Sequence, residues 1–202
     1  MTGVGPGRQV VLSRRVRLLV TATITYNIAE AIVAIAAGTV ASSTALIGFG
    51  LDSVIEVASA TAVAWQFSSS DPDARERTAL KIIAMSFFAL AAYVTVESIR
   101  ALTGAEAAEH STVGIVLAAM SLLVMPFLSY AQRRAGRELG SASTVADSKQ
   151  TLLCTYLSGV LLVGLLLNAL LGWSWADPVV ALVIATAAVK EGQDAWRGQH
   201  CC

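Results

Sequence analysis

Asp52 and Glu56 lie four residues apart in the apolar run GFGLDSVIEVAS, residues 48–59. On a helix that spacing puts both carboxylates on one face, with Gly48 and Ser59 on the same stripe. Two like charges repel strongly in a low-dielectric setting, and a divalent cation that displaces their protons relieves the repulsion. The pair therefore suits exchange of a metal ion for protons. The competing reading is a protonated pair hydrogen-bonded between helices. A second set lies in ADSKQTLLCTYLS, where Asp147, Gln150, Cys154 and Ser158 are spaced three, four and four, again along one helical face. A thiolate and an amide oxygen can complete a four-ligand shell with two carboxylates, so the candidate metal ligands are Asp52, Glu56, Gln150 and Cys154. Thiolate favours zinc or a softer ion, and carboxylates suit zinc, iron, cobalt or manganese. Cys154 also fits a small buried hydrophobe.

Other polar residues sit in apolar surroundings. Asn27 and Glu30 share a stripe with Thr23 in TITYNIAEAIVAI, Glu97 falls near the end of YVTVESIRAL, and Asp177 precedes Pro178 in WADP. With Asp147 and Ser158 they are candidates for a proton or cation pathway. Asp177 reads equally as an N-terminal cap of the sixth helix, and Glu97 as an interfacial acid beside Arg100. The fourth apolar run is uncharged and reads as scaffold. His110 receives no role, and Cys201 and Cys202 read as an untied tail.

These residues need elements to hold them. The 202-residue chain is 55 % hydrophobic and 14 % charged, with a mean hydropathy of +0.67. Those values indicate an integral membrane protein, and a net charge of +0 gives no indication of nucleic acid. Crossing the hydrocarbon takes about 20 mostly apolar residues in a helix. Six runs qualify: 17–40, 44–67, 80–102, 112–130, 149–171 and 175–192. The sixth has a short uncharged centre, 178–189, bracketed by Trp173, Trp175 and Trp196 as interfacial anchors. The runs do not alternate as barrel strands do, so the expected class is all-α, a polytopic protein with six transmembrane helices. With the N-terminus in the cytoplasm, only Arg100 of the 14 Lys and Arg residues falls outside. The positive-inside rule then puts both termini in the cytoplasm. Residues 1–13 read as a cytoplasmic tail, 14–192 as the membrane domain and 193–202 as a short tail without a cytosolic domain. The longest inner loop runs from Gln132 to about Ala146.

On these residues the sequence resembles the cation diffusion facilitator family of metal/proton antiporters, over roughly residues 14–192. The resemblance implies six helices with cytoplasmic ends and a transport site of two residues four apart on helix 2 and two on helix 5. GLDSVIE matches the helix 2 element through Asp52 and Glu56. The helix 5 element, usually His, three residues, then Asp and often a later Ser, aligns with Gln150, Cys154 and Ser158. Asp177 and Pro178 match an Asp-Pro element on helix 6. Gln150 and Cys154 thus replace an imidazole and a carboxylate. Family members commonly add a C-terminal cytosolic domain that dimerises; without it, a homodimer rests on membrane helices, with Ser86, Ala89 and Ala92 on helix 3 as a contact stripe.

The expected function is export of a divalent transition metal, zinc foremost, in exchange for protons, from the inner membrane of a prokaryote. The partners are the lipid bilayer, metal ions and protons, with no permanently bound cofactor. The alternative is a non-transporting membrane metal-binding or accessory protein. An intramembrane enzyme is disfavoured by the lack of an HExxH element and by having only two histidines, neither in a span. An exporter of organic cations is disfavoured by the paired acids and thiol.

Overall fold

The computed structural model describes residues 6–67, 72–104, 108–139 and 142–197; at several helix ends the side chains, among them those of Ser59, Arg75, Asp147 and Gln150, lie outside the described residues, as do Cys201 and Cys202. Those residues form helices α1 (Pro6–Val40), α2 (Thr44–Phe67), α3 (Pro72–Leu102), α4 (Thr112–Leu139), α5 (Ala142–Leu171) and α6 (Ala176–Trp196), with no strand among them. The class is all-α, as expected.

The helices run further than the apolar stretches that announce them. α1 begins at Pro6, inside the segment expected as a tail, and α4 continues nine residues past the expected Tyr130 end, to Leu139. Most of the expected loop from Gln132 to Ala146 is the end of α4 and the start of α5. Hydropathy marks where lipid lies, whereas a helix continues into polar surroundings as long as its residues favour it, as Arg, Gln, Glu and Ala do here. Proline at the starts of α1 and α3 costs little, because the first-turn N–H groups have no intrahelical partner.

Among the described residues, four segments are long and apolar enough to cross a membrane: Leu18–Val40, Lys81–Leu102, Thr112–Ala135 and Thr151–Leu171. α6 is not one of them, since only residues 178–189 separate Asp177 from Lys190. α2 is only partly described. Both belong to the bundle: α2 packs against α1, α3, α5 and α6, and α6 packs against α3, α2 and α5 while exposing Val179 and Val183. The outward faces of α1, α3, α4 and α5 expose Ile32, Met85, Val96, Leu123, Phe127 and Val163. Such a contiguous apolar exterior is unfavourable in water and suits hydrocarbon.

The interior is closely packed around Leu46, Phe49, Met125, Leu161 and Ile184, each with almost no exposure. α1 and α2 approach most closely where small residues meet. A Cβ on Gly50 would stand 2.8 Å from Ile35 Cγ1 and 3.0 Å from Ala34 Cβ. Ser42 turns the chain between the two helices with φ 50°, and the Ser43 N–H returns to the Gly38 carbonyl at 2.9 Å. This is a Schellman-type ending with serine at the position usually taken by glycine. Gly172 ends α5 in the same left-handed conformation, φ 67°.

Candidate functional site

The close α1–α2 crossing brings short polar side chains of one helix within reach of acids on the other. Asn27 Nδ2 donates to Glu56 Oε2 at 2.6 Å, and Ser53 Oγ donates to Glu30 Oε2 at 2.9 Å. Cys154, from α5, lies with its Sγ 4.0 Å from that same Glu30 oxygen. All are buried: Glu30 is 1 % exposed, Asn27 2 %, Asp52 6 %, Glu56 7 % and Cys154 1 %. Asp52 makes no hydrogen bond to a described residue, but Glu30 and Glu191 lie within its electrostatic reach. Cys154 lies within reach of Glu56, Glu30 and Asp52.

Ionised groups in hydrocarbon cost about 2.5–3.5 kcal/mol each on insertion scales, so they turn inward and find polar partners. Helix periodicity does this here. Asn27 and Glu30 share a face with Ala31 and Ala34, while Ile28 and Ile32 point outward. On α2, Asp52, Ser53 and Glu56 are buried while Val54 and Ala58 are exposed.

The acids do not converge on a single point. Among the described residues, no three His, Cys, Asp or Glu side chains lie close enough together to hold a metal ion. Instead the core is divided between an Asn27–Glu56 pair and a Glu30–Ser53–Cys154 group. Of the expected ligands, Asp52, Glu56 and Cys154 are in this core. The side chains of Gln150 and Asp147 lie outside the described residues. Ser158 lies one turn along α5 from Cys154; its hydroxyl donates to the Cys154 carbonyl at 2.7 Å and lies 2.9 Å from Ser121 Oγ.

Two candidates lie elsewhere. Glu97 pairs with Arg100 at 3.0 Å, partly exposed near the end of α3. Asp177 is buried, but it does not cap α6, whose N-cap position is Trp175 with no side-chain cap bond. Its carboxylate reaches across to α2, accepting from the Ser43 hydroxyl and from the Ala45 N–H at 3.2 Å. Ser43 in turn accepts from the Leu46 N–H at 3.1 Å, the N-cap geometry. An anion at this end complements the α2 dipole, so Asp177 fastens the acid-bearing helix to α6.

Beyond its uncharged run, α4 adds polar links to the bundle. Gln132, fully buried, donates through Nε2 to Thr23 Oγ1 at 3.1 Å and accepts from Thr151 Oγ1 at 3.2 Å, linking α1, α4 and α5. Ser129 Oγ adds a bond to the Ser148 carbonyl at 2.7 Å. Beside this network a hollow with room for about one water is lined by Thr23, Asn27, Glu56 and Thr151. Gln132 went unnoticed because it follows the apolar run. Its signal was the i, i+3 stripe Ser129–Gln132 continuing the face of Ser121 and Met125.

Helices with apolar exteriors and inward-facing ionisable side chains define an integral membrane protein with a polar core. A family model, the cation efflux transmembrane domain, matches residues 20–195. The chain belongs to the cation efflux family, whose members are transporters of metal cations rather than enzymes. Comparison with curated proteins gives no match.

Proposed function

We propose that the protein exports a divalent transition-metal cation, zinc foremost, in exchange for protons across the inner membrane of a prokaryote. Six membrane-spanning helices with both termini in the cytoplasm provide the frame. The observation that carries this reading is the burial of Asp52 and Glu56 on one helix together with Cys154 on another, inside a family of cation transporters. Asp52, Glu56, Gln150 and Cys154 take the ion in the inward-facing state and give up protons as they do so. Rigid-body rocking of the helices then opens the site outward, where protons displace the metal. Asn27, Glu30, Asp147 and Ser158 border this route.

A second copy of the chain belongs to the same reading. Ala89 and Ala92 are exposed along α3 beside the partly buried Ser86, and small residues allow close helix approach in lipid.

The test is uptake of zinc, cadmium, cobalt, iron and manganese into proteoliposomes across a pH gradient. Zinc or cadmium transport that collapses when the gradient is dissipated is the expected result. Metal binding in detergent with no flux of any ion contradicts it.

A further inference from the structure

Cys154 puts a sulfur donor where the resemblance implies a helix 5 carboxylate, and so removes one oxygen donor from the set. The α1 helix puts one beside the thiol. We propose that Glu30 is a direct cation ligand acting with Cys154, so that the cation site draws on α1 as well as α2 and α5. This rests on the transport reading above and names a residue that the helix 2 and helix 5 pattern does not contain.

Three observations point the same way. Glu30 is the most buried acid among the described residues, and its Oε2 already faces Cys154 Sγ at 4.0 Å. Its other oxygen, Oε1, is buried with no hydrogen-bond partner, and so is Oδ1 of Asn27 one turn away. Buried acceptors are almost always paired, and two on one helical stripe call for something that supplies positive charge. Ser53, the residue next to Asp52, donates to Glu30 Oε2, so the side chain is held against the acid-bearing stretch of α2 rather than turned away from it. The hydroxyls of Tyr26, itself buried without a partner, and Ser121 lie near Glu30, yet neither bonds its Oε1.

The chemistry of the pair sets the cargo. One thiolate with carboxylates suits zinc or cadmium and is poorly matched to magnesium or calcium, which take oxygen-only shells. The α2 acids then close onto the Glu30–Cys154 pair as the helices shift, with Asp52 already within electrostatic reach of Glu30.

The experiment is a cadmium titration of the full chain in detergent, read by the ultraviolet thiolate-to-cadmium charge-transfer band. It compares the parent, Glu30→Gln, Glu30→Asp and Asp52→Asn. The parent develops the band, Glu30→Gln weakens binding tenfold or more, and Glu30→Asp recovers part of the loss. Glu30→Gln titrating like the parent while Asp52→Asn loses affinity overturns the role of Glu30 and leaves the transport reading intact. A parent that binds no cadmium overturns both. A measurement on the unmodified chain guards against a misfolded variant. Cadmium should protect Glu30 from a hydrophobic carbodiimide, scored by mass spectrometry, and labelling unchanged by cadmium refutes the assignment.

Discussion

The Asn27 amide donates to Glu56 across 2.6 Å in a site where both residues are buried. Hydrogen bonds to charged acceptors are short and strong, and they fix the orientation of the carboxylate. Partners that orient a metal ligand typically contribute a factor of about 10–100 to affinity. Asn27→Ala is therefore expected to weaken zinc binding by about that factor, measured by equilibrium titration in detergent, without loss of folded protein. Binding at the parent's affinity would show that the amide does not act on Glu56. At this scale the sequence was informative about which residues matter and less so about how they pair. The four-residue spacing of Asp52 and Glu56 and the stripe of Asn27 and Glu30 were visible directly. That Glu56 meets Asn27, and Glu30 meets Ser53 and Cys154, depends on how deeply α1 and α2 interlock, which Ala34 and Gly50 decide through their size.

Asp177 shows what an element adds. The Asp-Pro pair at a helix start suggested a cap for α6, yet its carboxylate serves the first turn of α2. Local capping signals identify a residue able to accept hydrogen bonds, and three-dimensional packing chooses whose N–H groups it receives. Asp177→Ala removes that acceptor and loosens α2 from α6. The expected cost is about 0.5–2 kcal/mol, the usual range for losing a helix cap, read as a lowered unfolding temperature in detergent. Ser43→Ala, which removes the N-cap hydroxyl, is expected to act in the same direction, and an unchanged transition in both variants would contradict the assignment. The α2 bounds followed directly from the apolar run, whereas α4 outran its own because Arg133, Arg134 and Arg137 favour helix while ending the hydropathy signal. The same excess length hid Gln132, whose bonds join α1, α4 and α5 on the Thr23 side of Glu56.

Across the whole molecule, the all-helical architecture and the inward turn of the acids were legible in the sequence, because hydrocarbon admits few alternatives. Four apolar segments stand out by composition, while α6 is recognisable as part of the bundle through its packing on α3, α2 and α5. The arrangement of the polar core was not legible, since it depends on contacts between residues far apart in the chain. If Asp52 and Glu56 exchange a cation for protons, lowering the pH must weaken metal binding, because protons and metal compete for the same oxygens. The most direct test measures zinc and proton movement together in proteoliposomes, with Asp52→Ala beside the parent. The account predicts that zinc entering on one side drives protons out on the other in the parent, and that Asp52→Ala, still folded, abolishes both movements. Undiminished coupled flux in Asp52→Ala, or zinc transport by the parent with no accompanying proton movement, would contradict it.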